Sequence, residues 1–129
     1  MASKYNLLMS IHPNYVEKIL SGEKKFELRK IQPYGRFDKI YIYSTSPVKK
    51  VVGEVRNVKI FVGPPETIWT VTKDANCVNK EDYDIYFKNS KTAVAFELND
   101  ILKYETPKEL SDFGFTNPPQ MFQYVLEKE

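Results

Sequence analysis

The residues of this chain that could do chemistry are concentrated in one short stretch, Gly22–Arg29, with the sequence GEKKFELR. Lys24, Glu27 and Arg29 bring an ammonium, a carboxylate and a guanidinium close together in the chain. Arginine can hold a phosphate with two parallel hydrogen bonds, and lysine adds a point charge. Such a set could recognise a polar ligand. Glu27 beside Lys24 could also act as base and electrostatic stabiliser in an amide hydrolase.

A charged strand face in water is the alternative interpretation of the same stretch. Phe26 and Leu28 fall on one face of a period-2 pattern, and Lys25, Glu27 and Arg29 fall on the other. The apolar pair should enter a core and hold the charged side chains on the opposite face. A Glu–Lys or Glu–Arg salt bridge in solvent would produce the same pattern, so the spacing leaves both interpretations open.

Further candidates lie outside this stretch. The amide of Gln120 can make paired donor and acceptor contacts with a base edge. Ser44 and Thr45 place hydroxyls at the end of a predicted strand, and Tyr43 and Trp69 could stack on a base. A single Trp in a small domain more often belongs to the core. The candidate ligand-binding residues are therefore Lys24, Glu27, Arg29, Tyr43, Ser44, Thr45, Trp69 and Gln120.

Several standard sites are excluded by composition. One histidine, His12, and one cysteine, Cys77, leave no nitrogen–sulfur zinc set and no internal disulfide. The chain contains no glycine-rich phosphate loop of the GxGxxG or Walker type. His12 runs directly into Pro13, which favours a residue at a helix start over a catalytic base. We therefore expect neither a metal nor a cofactor.

The net charge of +2 is unevenly distributed. Residues 1–62 carry twelve Lys and Arg against five Asp and Glu, a net +7, and residues 63–129 carry seven against twelve, a net −5. This asymmetry favours a basic surface that meets phosphates, although solvated lysines would give the same count. No apolar run approaches the roughly 20 residues of a membrane span, and the N-terminus lacks a signal-peptide core. We therefore expect a cytoplasmic protein without a membrane partner.

Short strands with interspersed small helices must position the candidate residues. Strands are predicted at residues 5–11, 24–30, 39–45, 51–62 and 91–98, with further strand through 101–104. Helices are predicted at residues 13–21, 66–72, 79–88 and 107–113, with a terminal helix or turn at 121–126. Gly22 should end the first helix in a left-handed cap, and Gly53 should bend its strand. This order favours a single α+β domain, residues 1–129, built as a partly closed antiparallel barrel of about five to six strands with short flanking helices.

These residues together resemble the ASCH domain of the PUA-like superfamily. The likeness rests on Gly22-x-Lys24-x-x-Glu27-x-Arg29 after a short helix, followed by Tyr43-Ser44-Thr45 and Gly53-Glu54. The ending Pro118-Pro119-Gln120-x-Phe122 and the inserted Trp69 are similar to small stand-alone ASCH proteins that are often labelled predicted transcriptional regulators. The resemblance spans residues 7–125.

The resemblance implies a β-barrel whose cleft is lined by Lys24, Glu27 and Arg29, with Ser44 and Thr45 beside them. It also implies a role in binding RNA or modified nucleotides. One branch of the family hydrolyses acetylated cytidine with a Lys, a Thr and a Glu. Lys24 matches that Lys, whereas Glu27 occupies the Thr position. Another branch is described as ribonuclease.

The expected function is therefore a monomeric module that holds RNA, other single-stranded nucleic acid or a modified nucleoside in a basic cleft. Such a module could regulate transcription or translation. The occupation of the Thr position by Glu27 favours binding over catalysis. The alternative is a small hydrolase, either an acetylated-cytidine amidohydrolase or a ribonuclease. A third possibility is a protein–protein adaptor whose charges are solvated.

Overall fold

A computed structural model describes residues 4–127, which form a six-stranded mixed sheet, three helices and one 3₁₀ turn. The strands are β1 (Lys4–Ile11), β2 (Phe26–Arg29), β3 (Phe37–Ser44), β4 (Lys50–Gly63), β5 (Ala93–Lys108) and β6 (Phe122–Glu127). The helices are α1 (Pro13–Leu20), α2 (Pro65–Thr72) and α3 (Lys80–Tyr86), and the 3₁₀ turn is Leu110–Phe113. The strand order is β2-β5-β4-β3-β1-β6. No helix within residues 4–127 is both long and apolar enough to cross a bilayer.

The sheet confirms the expected α+β class with a partly open barrel, but its strand directions are mixed. β1 and β3 run parallel, whereas β1–β6, β2–β5, β3–β4 and β4–β5 are antiparallel pairs. Parallel neighbours need a long crossover, and the chain supplies one through α1 and β2 before it returns beside β1. Because β2 and β6 form the edges among the described strands, the opening of the barrel lies between them.

Apolar clusters cover both faces of the sheet because successive side chains of a strand point to opposite faces. In β1, Leu7 and Met9 join α1 in the larger core. Leu8 points the other way and packs with Tyr41 and Tyr43 under the C-terminal segment. β1 therefore contributes alternate side chains to the two cores, and β3 does the same.

The segment between β4 and β5 forms a helical insert that packs against the β2 edge of the sheet. Ile68 of α2 and Tyr83 of α3 are buried with Leu28 and Ala95. Asn79 begins α3 as predicted, since its side chain accepts a hydrogen bond from the backbone N–H of residue 82 at 2.8 Å. The insert thereby forms a wall beside β2.

Two glycines have the roles that the sequence predicts. Gly22 ends α1 with a φ of +87°, a conformation that other residues rarely adopt. A Cβ on Gly53 would lie 2.6 Å from the backbone oxygen of Leu102, so only glycine allows β4 and β5 to approach this closely. The pairing of β4 shifts its register between Val51 and Gly53, where the strand bends.

The C-terminal part of the chain differs from the prediction in the type of one element and in the extent of others. Residues 121–126, predicted as a helix or turn, form β6 because β1 offers unpaired backbone groups that local sequence does not reveal. The two strand segments predicted at 91–98 and 101–104 are one strand, β5, which continues through Asp100 at a φ of +53°. The helix predicted at 107–113 is reduced to the 3₁₀ turn, and Pro107 still belongs to β5.

Candidate functional site

A cavity of about 520 Å³ lies beside β2, and this volume is typical of small-molecule sites. Its walls come from the end of β1, the start of α1, β2, α3 and the segment that leads into β6. The lining residues are Ser10, Ile11, His12, Tyr15, Lys24, Glu27, Leu28, Arg29, Val78, Asp82, Tyr83, Tyr86, Phe87, Gln120 and Met121. Four of the candidate residues from the sequence, namely Lys24, Glu27, Arg29 and Gln120, therefore line one cavity.

Lys24, Glu27 and Arg29 form a buried ion-pair cluster rather than a solvated face. Glu27 Oε2 lies 2.6 Å from Arg29 Nη1, and Glu27 Oε1 lies 3.6 Å from Lys24 Nζ. Side-chain exposure is 1% for Lys24, 5% for Glu27 and 14% for Arg29. Glu27 pairs with Phe96 of β5 and so points to the side of the sheet that carries the larger core. The alternation of apolar and charged residues predicted that Glu27 and Arg29 are held in fixed positions, and the fold also buries them.

Lys24 is the most enclosed charge of the cluster. Its Nζ donates a hydrogen bond to the backbone oxygen of Asn76 and lies 4.6 Å from the centre of the Tyr15 ring. Burial lowers the pKa of Lys24 below its ordinary value, and the attraction of Glu27 opposes this change. The side chain is therefore held by a carbonyl, a carboxylate and an aromatic face.

The turn between α1 and β2 explains why Lys24 rather than Lys25 enters the cavity. The backbone N–H of Lys24 donates to Lys18 O at 2.9 Å, and that of Lys25 donates to Ala75 O at 2.8 Å. These bonds join the start of β2 to both α1 and the helical insert. Lys25, which the alternation grouped with Glu27, is exposed because the regular strand begins only at Phe26.

Arg29 connects the two strands on either side of the cavity. Its Nη1 donates to Leu28 O at 3.0 Å, and its Nη2 donates to Ser10 O of β1 at 2.9 Å. Together with the pair to Glu27, these bonds fix the plane of the guanidinium. The arginine is therefore preorganised, which reduces the entropy lost when a ligand binds.

Gln120 reaches the cavity on a segment that is fastened to β1. Ser10 Oγ donates to Pro119 O at 2.6 Å, and the backbone N–H of Ser10 donates to Met121 O at 3.1 Å. Gln120 itself is exposed, so its amide remains accessible to a ligand. The double-proline turn thus positions a two-way hydrogen-bonding group at the rim.

Two tyrosines form aromatic walls that the sequence reasoning did not select. Tyr15 follows the start of α1 and Tyr86 ends α3, and both line the cavity. Burial is the main cause that raises the pKa of each phenol, and Glu27 raises it further in both. Both tyrosines therefore stay protonated at neutral pH and can donate a hydrogen bond.

The charge of the cavity is balanced, which corrects the expectation of a basic cleft. Lys24 and Arg29 supply two cations, and Glu27 and Asp82 supply two carboxylates. Since Glu27 already contacts both cations, little positive charge is left to attract a free phosphate. The donors and acceptors present suit a neutral polar group such as a nucleobase.

His12 begins α1, as the sequence predicted. Its Nδ1 accepts a hydrogen bond from the backbone N–H of Asn14 at 3.2 Å, so that nitrogen is occupied as an acceptor. Among residues 4–127, no group of three or more His, Cys, Asp and Glu side chains is placed to hold a metal ion.

The other four candidate residues lie outside this cavity. Tyr43 is buried in the core of the opposite face, and Ser44 is buried beside it. The backbone N–H of Thr45 donates to Ile11 O at 3.1 Å, which joins the ends of β3 and β1. Trp69 packs on Tyr83 with ring centres 4.9 Å apart and so belongs to the core of the insert.

The residues that sequence reasoning missed come from the helices that face β2. Tyr86 lies in a predicted helix without a motif, and nothing local distinguishes it from the buried Tyr83. Asn76 lies in a loop without a motif, yet its carbonyl is a partner of Lys24. Asp82 lies in the first turn of α3, where a carboxylate suits the helix dipole, so its position in sequence does not indicate a ligand site.

Comparison with known proteins identifies the family of this fold. Residues 9–111 match the family model described as the ASCH domain. An ASCH domain-containing ribonuclease of Zymomonas mobilis is 32% identical in an alignment that covers 95% of this chain and 85% of that protein. The crystal structure of an ASCH protein from Zymomonas mobilis superimposes with a TM-score of 0.82 at 28% identity, covering 93% of this chain and 87% of that one.

Two longer relatives contain a similar stretch. ATP synthase subunit alpha of Ureaplasma parvum is 32% identical over 123 residues, which are 95% of this chain but 15% of that protein. Large ribosomal subunit protein uL22 of the same species is 30% identical over 120 residues, which are 92% of this chain and 39% of that protein. The chain thus spans less than half the length of these relatives, and the likeness is confined to a domain.

Proposed function

Because this chain belongs to the ASCH domain family, we propose that it binds single-stranded RNA and admits one base, ordinary or modified, to the cavity beside β2. The observation that carries this proposal is the convergence of a fixed ion-pair cluster, two tyrosines and Gln120 on one cavity of about 520 Å³. A base that leaves its stack needs an aromatic wall and hydrogen bonds to its edge. The cavity offers both.

Each wall has a defined part in this proposal. Tyr15 and Tyr86 stack on the base, and Gln120 makes paired hydrogen bonds with its edge. The carboxylates of Glu27 and Asp82 accept hydrogen bonds from an exocyclic amino group. Because uracil has no such group, the site should prefer cytidine or adenosine to uridine.

Binding of short RNA oligonucleotides at low salt tests the proposal. Gln120→Ala should weaken binding about tenfold, since the paired contacts of one amide are worth about 1–3 kcal/mol. Arg29→Ala should weaken it at least as much because the cluster loses its orientation. Arg56→Ala is the matched control: Arg56 also pairs with a glutamate, but it lies outside the cavity, and its loss should change the affinity less than twofold.

The outcomes separate the proposal from its rivals. Equal losses from Arg29→Ala and Arg56→Ala would indicate charge attraction over the whole surface instead of a site. An unsubstituted protein that binds neither oligonucleotides nor nucleosides at low salt contradicts the proposal outright. In that case a protein–protein adaptor becomes the better interpretation.

Hydrolysis is the second candidate, and one relative is named as a ribonuclease. RNA cleavage by its own 2′-hydroxyl forms a bond from that oxygen to phosphorus and breaks the bond to the 5′-oxygen. A base must take the 2′ proton, and an acid must protonate the departing oxygen. Glu27 already contacts Lys24 and Arg29, and His12 Nδ1 caps α1, so the groups best suited to be the base are engaged. This geometry favours binding.

Incubation with RNA and with acetylated cytidine tests hydrolysis directly. If Lys24 takes part in catalysis, Lys24→Ala should abolish product formation, whereas Lys25→Ala, which removes an exposed neighbour, should not. Turnover of neither substrate, or equal turnover by Lys24→Ala and the unsubstituted protein, removes the hydrolase interpretation.

A further inference from the structure

A second concave surface lies at the other end of the β1–β6 edge. It is lined by Tyr5, Tyr34, Gly35, Arg36 and Tyr124 and has a volume of about 390 Å³. We name these five residues the tyrosine shelf. Three of the five are tyrosines, and the charged residue among them is a cation. We propose that the tyrosine shelf stacks a second base of the same RNA strand while Arg36 contacts its phosphate.

The first argument is the exposure of an aromatic ring on a fixed support. The side chain of Tyr34 is 87% exposed, the highest value among the large hydrophobic residues of the described chain that are exposed. The backbone N–H of Tyr34 donates to the hydroxyl of Tyr124 at 2.6 Å, which fastens its loop to β6. The ring of Tyr34 is therefore open to solvent on a fastened backbone, and a base can stack on it.

The neighbouring rings extend this platform along the edge of the sheet. Tyr124 meets Tyr5 edge to face with ring centres 6.2 Å apart, and Phe122 meets Tyr124 at 6.2 Å. Tyr124 therefore stands between two other rings. Successive aromatic side chains along a groove are the usual platform for single-stranded nucleic acid, because every base has a face that can stack.

The charge of Arg36 and the short distance between the two surfaces favour nucleic acid as the partner. Arg36 belongs to the basic half of the chain, residues 1–62 with a net +7, and can pair with a phosphate in two-pronged geometry. Ile11 of the cavity and Tyr5 of the shelf lie six residues apart on β1, so their side chains share one face of the strand, about 20 Å apart at the rise of a strand. One short oligonucleotide can therefore contact both surfaces.

This inference rests on the proposed function, and oligonucleotide length separates the two. A dinucleotide should occupy the cavity beside β2 alone, whereas an octanucleotide should also reach the tyrosine shelf and bind more tightly. Tyr34→Ala should cut octanucleotide affinity about 5- to 150-fold, the range of one lost stacking contact, and leave dinucleotide affinity unchanged. Tyr34→Phe should retain the affinity because the ring remains.

Two further variants sharpen the test. Arg36→Gln should lower the slope of log affinity against log salt by about 0.7, the value for one phosphate contact on a single strand. Val48→Ala, an exposed apolar residue outside both surfaces, is the control and should alter neither oligonucleotide. Folding is not at risk in Tyr34→Ala, since the bond to Tyr124 uses the backbone.

Each result supports or overturns a distinct statement. Octanucleotide affinity that Tyr34→Ala leaves unchanged, or that never exceeds dinucleotide affinity, overturns the shelf and leaves the cavity proposal standing. Loss with Tyr34→Ala but not with Arg29→Ala overturns the cavity and supports the shelf. If Tyr34→Ala instead dissociates an oligomer in size-exclusion chromatography without affecting RNA, the shelf is a contact between copies of this chain and the inference is overturned.

Discussion

Within residues 4–127, two ion-pair clusters have the same composition, one glutamate between a lysine and an arginine. In the first, Glu27 lies 3.6 Å from Lys24 and 2.6 Å from Arg29. In the second, Glu54 lies 3.5 Å from Lys39 and 3.3 Å from Arg56. The types of residue and the distances are similar, so neither can account for a difference in role.

The difference between the clusters is where their cations lie. Lys39 and Arg56 are 41% and 46% exposed, whereas the cations of the first cluster are nearly enclosed. Glu54 is buried and accepts a hydrogen bond from the hydroxyl of Tyr104 at 2.8 Å. None of these residues lines the cavity beside β2 or the tyrosine shelf. Enclosure of both charges beside a cavity, and not the ion pair itself, therefore distinguishes a candidate site from a structural salt bridge.

The largest effect should come from removing the charge of the enclosed glutamate. Glu27→Gln leaves Lys24 and Arg29 without their counter-ion in a site with little water, and we expect the free energy of unfolding to fall by about 3–5 kcal/mol. Urea denaturation measures this loss. Glu17→Gln, the same change at an exposed position of α1, should cost less than about 0.5 kcal/mol. Equal stability of Glu27→Gln and the unsubstituted protein would show that the first cluster is hydrated like the second.

The matched change in the second cluster should cost less. Glu54→Gln keeps an acceptor for Tyr104, and its two exposed cations can return to water, so we expect a loss of about 1–2 kcal/mol in the same urea experiment. RNA affinity should stay within twofold. A loss as large as that of Glu27→Gln would break the distinction between the clusters.

Removing one hydroxyl from the second cluster should have a smaller effect that depends on pH. Tyr104→Phe leaves Glu54 without that donor, at a cost of about 1 kcal/mol at neutral pH. Burial first, and then the hydrogen bond to Glu54, raises the pKa of Tyr104 in the folded protein. Above pH 10 the unfolded chain loses this proton while the folded protein keeps it, so the contribution of Tyr104 to stability declines.

We therefore expect the stability difference between Tyr104→Phe and the unsubstituted protein to shrink as the pH rises above 10. Denaturation at neutral pH and at pH values above 10 checks this trend. A difference that grows with pH has the opposite sign and contradicts the assigned direction.

The smallest effect is the alkaline response of the enclosed lysine, and its sign is opposite. Burial lowers the pKa of Lys24 in the folded protein below the ordinary 10.5. Between these two pKa values the unfolded chain holds a proton that the folded protein lacks, so Lys24 adds stability as the pH rises towards 10.5. Lys24→Met removes this titration with a side chain of similar length. The unsubstituted protein should gain stability relative to Lys24→Met over this range, and parallel curves would contradict the prediction.

The candidate site was predictable from sequence only as far as local pattern reaches. The spacing from Gly22 to Arg29 predicted a helix end followed by a strand with two fixed charges, and the structure has this arrangement. It did not predict that Lys24 is enclosed in preference to Lys25. The carbonyl of Asn76 that holds Lys24 lies 52 residues away, and no local signal links the two.

The fold was predictable in its class and in most elements because apolar alternation is a local property. Tyr43 and Trp69 show the limit of composition: both types of side chain stack on bases or fill cores, and here both belong to cores. Strand β6 shows the limit of local signals, since the segment after the two prolines was predicted as a helix or turn. The segment forms a strand because it pairs with β1, which lies at the other end of the sequence.

The hydrogen bond from Lys24 to the carbonyl of Asn76 connects the cavity to the loop of the insert, so ligand binding should change hydrogen exchange in that loop. Lys25 ties the neighbouring Ala75 to the same strand start, so two successive loop carbonyls are held by two successive lysines. A ligand that accepts a hydrogen bond from Lys24 competes with the carbonyl of Asn76, so occupancy of the cavity is thermodynamically linked to this bond. Amide hydrogen exchange at residues 75–78 would register a ligand without any label on the ligand itself.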